Sequence, residues 1–448
     1  MKKDKQRAVV DEKSPLLPTK NGSDGGCGAS FAGAVFNLST TVIGAGIMSL
    51  PATMKVLGLL LGIAVIITMA FLTEASIEFL LRCSRASKST SYGGLMGDSF
   101  GRFGRALIQL CILVNNIGIL IVYMIIIGDV LSGTTSLGIH HAGVLEGWFG
   151  ESFLTGRFFV LLVTTLVVFV PLISLKRIDS LRYTSALSVG FAVVFLVIMI
   201  GISLFELWSG NVTMPRLFPD VTDWSSLLKL FTVVPVLVTG YICHYNVHSI
   251  DNELEDTSQM KAVVRTSLGL CSAVYIATSF FGFLLFGDAT LDDVLANFST
   301  DLGIPIVGPA LNDAVRVSYA LHLMLVFPVI FHPLRLNLDE LCFPRAGPLA
   351  SDGFRFGSLS AGLVGVVFFG ANFIPSIWDA FQFTGATAAV SIGFIFPACI
   401  TLRDRCGIAR KKDKILSISM IVLAVFSNAV AIYSDVYSLF QKGSSRRG

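Results

Sequence analysis

Eleven runs of roughly 20 apolar residues, the length that crosses a bilayer as a helix, divide this chain almost from end to end. They lie at about 31–56, 58–83, 104–132, 157–175, 183–206, 226–247, 262–286, 312–333, 356–374, 376–402 and 415–439. The chain is 53% hydrophobic and only 14% charged, whereas a soluble domain carries about 25% charge. A water-facing surface of the usual kind cannot be built from it, so the apolar side chains must face lipid or one another. The expected class is an all-α integral membrane protein of eleven helices. Two pairs of spans nearly touch, at Gly58 and at Pro375, which predicts short hairpins there.

Lysine and arginine set the expected orientation, because they accumulate in cytosolic loops. With the N-terminus in the cytosol, 25 of the 33 Lys and Arg residues fall in the cytosolic tail and loops. Residues 1–30 read as a disordered cytosolic tail: they are polar, carry six lysines and arginines, and lack the apolar core of a signal peptide. The sequons Asn211-Val212-Thr213 and Asn297-Phe298-Ser299 fall in loops on the opposite side. None of the eight cysteines does, so no disulfide is expected. A net charge of +3 is too small to point to nucleic acid.

Two spans are interrupted. The first reads Ile43-Gly44-Ala45-Gly46-Ile47-Met48-Ser49-Leu50-Pro51, placing two glycines and a proline in mid-membrane. These residues weaken a helix interior by about 1 and about 3 kcal/mol respectively. The sixth reads Val238-Thr239-Gly240-Tyr241-Ile242-Cys243-His244, again a glycine among polar groups. Each interrupted span opens a set of five, at 31–206 and 226–402, and 415–439 remains as an extra helix. An odd number of spans per repeat inverts the second copy. Two inverted repeats, each led by a broken helix, form the LeuT-like 5+5 architecture of secondary transporters. Freed N–H groups at such a break suit an anionic group, and freed carbonyls suit a cation. An amino acid zwitterion carries both.

The segment Phe36-Asn37-Leu38-Ser39, followed by Gly44-Ala45-Gly46-Ile47, resembles the first-helix signature of the amino acid/auxin permease superfamily, above all its vacuolar and sodium-coupled neutral amino-acid transporters. Cys243-His244 followed by Asn252-Glu253-Leu254 agrees, as does Phe381-Gln382-Phe383-Thr384-Gly385-Ala386-Thr387 followed by Phe394-Ile395-Phe396-Pro397. The resemblance covers about residues 30–440. It implies transport of amino acids, the neutral ones in the first place, with no cofactor. It also implies a pocket in which Asn37, Thr40, Gly44, Ala45 and Gly46 face Gly240, Tyr241 and Cys243, closed by Asn115 and Asn116 of span three and by Phe383 and Thr384 of span ten.

The chain departs from its sodium-coupled relatives in two places. Thr40 stands where they tend to carry asparagine, and Ala320 to Pro328 contains no Ser or Thr to ligate sodium. His322 lies in that stretch instead, and imidazole can carry a proton. Proton coupling or exchange is therefore expected rather than sodium symport, with His322, Glu74 and His244 as candidate proton carriers.

Other polar groups allow plainer readings. Glu74, Glu78 and Arg82 share a helix face and can form an ion-paired stripe. His244 and His248 are one turn apart but bring no further metal ligand. Asp379 and Gln382 share a face at the start of span ten, and His140-His141 sit in a loop. No phosphate loop or hydrolase motif is present, so neither an enzyme nor a nucleotide-driven pump is expected. Glu12-Lys13-Ser14-Pro15-Leu16-Leu17 fits an acidic dileucine sorting signal toward a vacuolar or other endomembrane, with the plasma membrane as the alternative. An auxin permease and an amino-acid sensor with little flux are the competing functions. The first would take an acid lacking the ammonium. The second would signal through a tail of only about 30 residues.

Overall fold

A computed structural model describes residues 28–136, 139–212, 214–291, 293–298, 308–374 and 386–445. The described chain is helical apart from one two-stranded antiparallel ribbon, Thr134–Ser136 with Ile139–His141. His140 and His141 therefore belong to a paired ribbon rather than an open loop. The main helices are α1 (Phe31–Val42), α2 (Leu50–Leu57), α3 (Leu59–Ser87), α4 (Tyr92–Ser132) and α5 (Arg157–Ile173). They continue as α6 (Arg182–Trp208), α7 (Trp224–Tyr241), α8 (His244–Glu253) and α9 (Met260–Phe286). The series ends with α10 (Gly308–Cys342), α11 (Gly353–Phe373), α12 (Thr387–Arg403) and α13 (Lys411–Ser445).

Among the described residues, eight helical stretches are long and apolar enough to cross a membrane, and a ninth is added if the bent pair α1–α2 is one span. The shorter apolar helices α5 and α12 occupy the places where the sequence sets spans four and ten. Each contains a π-turn, at Thr165–Phe169 and Ser391–Ile395.

Helix starts follow local chemistry. The hydroxyls of Ser30 and Ser91 accept from the N–H groups of Gly33 and Gly94, and the carboxylates of Asp223 and Asp352 do the same for Ser226 and Arg355. α4 is kinked at Gly101, whose φ is +72°. The turn between α2 and α3 is the single residue Gly58, as the sequence leads one to expect.

Burial separates core from periphery. The most apolar windows of α4 and α10 are 72% buried, whereas that of α11 is 22% buried and that of α13 is 28%. α10 packs chiefly against α6 and α4, and α1 and α2 lie against α9. The outward faces carry Phe71, Trp208 and Phe354, side chains suited to lipid. Just before α1, Ala29 pairs with the end of α8: its N–H donates to Glu253 O (2.7 Å), and its carbonyl accepts from Glu255 N–H (3.1 Å). The Glu253 carboxylate accepts from the N–H groups of Ile178 and Asp179, binding the loop before α6 to the same junction.

Two expectations meet detail here. The seven described cysteines are all free. Asn297, the asparagine of the second sequon, is buried, accepting from Leu291 N–H and donating to Ala289 O. Its sequence context gives no sign of this engagement.

Gly58 has φ +70°, and a Cβ there would lie 2.5 Å from the carbonyl carbon of Phe218. Gly58→Ala is expected to destabilise the protein by more than ~1 kcal/mol, since both backbone conformation and space oppose the methyl. Thermal unfolding of the purified protein in detergent reads this directly, and an unchanged midpoint would refute it.

Candidate functional site

The site forms where α1 and α7 both stop in mid-bundle. α1 ends when Ile43 N–H makes a last bond to Ser39 O (2.8 Å). The chain then runs extended through Gly44 into a 3-10 turn at Ala45–Ser49, and the two halves meet at a 50° bend. Gly44 is glycine for want of space, since a Cβ would fall 2.0 Å from the Tyr123 hydroxyl oxygen. α7 ends at Tyr241, Ile242 and Cys243 leave helical geometry, and α8 begins at His244. The two breaks touch: a Cβ on Gly46 would lie 3.0 Å from Gly240 Cα.

A broken helix leaves carbonyls without intrahelical partners, and in a membrane these must be met by other groups. Two helices supply them here. The Tyr275 hydroxyl of α9 lies 2.7 Å from Val42 O and 2.6 Å from Gly240 O, so its one proton is shared between the two broken helices. Nε2 of His322 in α10 lies 3.0 Å from Ile43 O. The Tyr319 hydroxyl, also of α10, donates to Gly44 O (2.7 Å). On the other side, the Tyr123 hydroxyl of α4 lies against the unwound segment at Gly44. The carbonyls of Val42, Ile43 and Gly44 are thus all held by side chains of neighbouring helices.

The remaining expected residues occupy distinct places. Gly44, Ala45, Gly46 and Gly240 are at the breaks. Tyr241 packs edge-on against Tyr275, with ring centroids 5.0 Å apart, and its hydroxyl lies 2.8 Å from Ser272 Oγ. Cys243 is fully buried at the α7–α8 junction. Asn37 and Thr40 reach away from the break: Asn37 donates to Ile178 O (3.1 Å) and Thr40 to Ser185 O (3.0 Å), fastening α1 to α6 and the loop before it. Asn115 donates to the neighbouring Asn116 (2.9 Å) inside α4, where Asn115 Oδ1 and Asn116 Nδ2 lack protein partners. Phe383, Thr384, Asp379 and Gln382 lie outside the described residues.

The candidate proton carriers separate. Only His322 brings its side chain to the α1 break. Its Nδ1 lies 2.8 Å from Ser188 O and 2.9 Å from Ser188 Oγ on α6. His244 is directed the other way, with Nε2 3.0 Å from Ser76 Oγ of α3 and its ring against Gly393 of α12. His248 stacks on Tyr92. Glu74 pairs with Arg265, Glu78 with Lys261 (3.0 Å) and Arg82 with Asp413 (2.9 Å). The stripe on α3 therefore finds its partners on α9 and at the start of α13, not within its own helix. Among the described residues no cluster of three or more metal-ligating side chains occurs.

Sequence reading missed Tyr123, Tyr275, Tyr319, Ser188 and Asn246. Asn246 donates to Thr41 Oγ1 (2.8 Å) and lies 3.4 Å from Val329 O, joining α8 to α1 and α10. A signal was present: tyrosine in the middle of an apolar span brings a hydroxyl that needs a partner.

The family model for transmembrane amino acid transporter proteins matches residues 28–439. The chain is 68% identical to amino acid transporter AVT6A of Arabidopsis thaliana over 440 residues, 97% of this chain and 95% of that protein. It is 28% identical to solute carrier family 38 member 10 of Rattus norvegicus over 82% of this chain and 32% of that protein. Among solved structures, that of MhsT in complex with L-phenylalanine shares the fold at TM-score 0.58 and 14% identity, covering 92% of this chain and all of the other.

Tyr275→Phe removes the hydroxyl between the breaks and strands two buried carbonyls. The expected loss of stability is about 1–3 kcal/mol, read as a lower unfolding temperature. Wild-type stability would show that the shared proton holds nothing.

Proposed function

The chain belongs to the transmembrane amino acid transporter family, and from that premise we propose that it carries neutral amino acids by alternating access around the breaks at Gly44 and Gly240. The proposed frame is eleven spans, arranged as two inverted sets of five, 31–206 and 226–402, with 415–439 outside them. The zwitterion suits such a site because an unwound segment carries backbone N–H groups and carbonyls within a few residues, the carbonyls being held here by side chains that a ligand's ammonium would replace. An acid without an ammonium would use only half of this, which sets the auxin-permease reading behind it. Transport in place of enzymatic chemistry agrees with the names of the relatives.

The coupling ion is proposed to be the proton, and His322 carries that reading. Its two ring nitrogens face the carbonyls of Ser188 and Ile43, at 2.8 and 3.0 Å. Carbonyls only accept, and a neutral imidazole has one N–H. Neutral His322 can donate to one of the two, with the Ser188 hydroxyl (2.9 Å) placed to donate to Nδ1 when that nitrogen is bare, while the protonated ring donates to both carbonyls. Protonation would then strengthen the tie of α6 and α10 to the broken end of α1, and loss of the proton would exchange one donated bond for one accepted from Ser188. A sodium ion at this place would need the hard oxygen ligands that Ala320–Pro328 does not supply from side chains.

The N-terminus is proposed to be cytosolic, from the Lys and Arg distribution, and the membrane to be vacuolar or another endomembrane, from the dileucine at Leu16-Leu17, which lies outside the described residues. Leu16→Ala with Leu17→Ala is expected to shift a fluorescently tagged protein toward the plasma membrane; an unchanged distribution would remove this reading.

Radiolabelled neutral amino-acid uptake into proteoliposomes, with pH and sodium gradients imposed separately, tests the coupling. Uptake should follow the pH gradient and ignore sodium. His322→Gln should abolish the pH-driven component, by at least tenfold (~1.4 kcal/mol), and leave counterflow exchange in place. Uptake that needs sodium at constant pH would overturn proton coupling.

A further inference from the structure

At the face where α1 begins, a cavity of about 130 Å³ lies between α8, α10, α11 and the loop before α6. Its walls include Lys176, Glu253, His332, Arg335 and Phe356. We infer that this cavity is a binding site for a phosphate-bearing anion, a site separate from the breaks and independent of the transport reading.

The argument from charge begins at Arg335. Its side chain is 1% exposed, and its guanidinium donates only to neutral acceptors: Ile173 O (2.7 Å), Ser360 Oγ (3.0 Å) and Leu175 O (3.4 Å). It also lies over the Phe356 ring, 3.8 Å from the centroid, and its Nε has no protein partner. Arginine stays charged, and an uncompensated buried charge costs several kcal/mol. His332 adds to the demand: it is 5% exposed, Nδ1 has no protein partner, and Nε2 lies 3.4 Å from Lys176 O. The Lys176 ammonium completes the basic wall, held over the cavity by a bond to Ala350 O (2.8 Å).

One carboxylate shares the wall, but it is already taken. The oxygens of Glu253 accept from Ile178 and Asp179 N–H (3.0 and 2.8 Å), and one lies 3.9 Å from Arg177. Two permanent cations and a histidine therefore face a space that water alone must fill. A planar guanidinium beside an ammonium is the arrangement that recognises phosphate oxygens. Basic pockets at the ends of membrane helices take phosphorylated lipid headgroups. The cavity borders α11, whose apolar window is only 22% buried, so a headgroup could enter from the bilayer edge and a free phosphate from water.

Binding to the full-length protein tests this. In detergent, inorganic phosphate would be titrated against chloride at matched ionic strength while thermal unfolding is followed. In a second arm, nanodiscs of phosphatidylcholine with and without phosphatidic acid would be compared by native mass spectrometry and unfolding. Stabilisation in the first arm alone assigns a free anion, in the second alone a headgroup, and in both a site open to either. Lys176→Gln, on the half-exposed rim, should weaken binding roughly tenfold (~1.4 kcal/mol) without lowering the ligand-free unfolding temperature, and His332→Gln should weaken it without abolishing it. The inference is overturned if neither ligand stabilises the protein, or if Lys176→Gln binds as tightly as the wild type.

Discussion

A backbone carbonyl in hydrocarbon costs several kcal/mol unless something donates to it, and this requirement organises the centre of the molecule. Breaking α1 exposes the carbonyls of Val42 and Ile43, and leaves that of Gly44 with one bond from Ile47 N–H in the 3-10 turn (3.1 Å). Each is met by a side chain from elsewhere: Tyr275 of α9, His322 and Tyr319 of α10. Those helices must run through the core to reach the break, and α10 is among the most buried in the bundle. Gly44 is bound to the same logic, because Tyr123 occupies the volume any side chain there would need. The interruption is thus the reason that α4, α9 and α10 sit where they do.

Polar groups are sorted by depth. Near the face where α1 begins, charged pairs link α3 to α9 and α13 through Glu74–Arg265, Glu78–Lys261 and Arg82–Asp413. These are partly exposed, and such pairs contribute at most about 1 kcal/mol each. At the breaks, the ties are hydroxyls, an amide and one imidazole, neutral or able to be so. A moving part in low dielectric is better tied by groups whose separation strands no full charge.

Much of this was legible in the sequence, for physical reasons. Twenty apolar residues in a row leave a chain little choice, so the eight long apolar helices among the described residues, and the bent pair α1–α2, stand on such runs. Gly44, Gly46 and Gly240 marked the breaks because glycine and proline in mid-span oppose a helix whatever surrounds them. Asn37 and Thr40 were less legible, since a polar residue one or two turns before a break can face either the break or a neighbouring helix. The structure turns both toward α6 and its preceding loop. The stripe Glu74, Glu78, Arg82 reads as ion-paired from one helix alone, but its partners Arg265, Lys261 and Asp413 lie more than 180 residues away and show in no local pattern. The donors Tyr275 and Tyr319 were invisible for the same reason. A hydroxyl shows its need for a partner in the sequence, but not the address of that partner.

The hydroxyl of Tyr275 stands between two acceptors with one proton to give. Whichever carbonyl it serves, Val42 or Gly240, the other receives at best the weaker share. The seam between the two broken helices is therefore frustrated in its closed form: its local bonding cannot be completed, and pulling the helices apart forfeits less than two full hydrogen bonds. A ligand that brought its own donor to the deprived carbonyl would remove the frustration and keep the seam shut around itself.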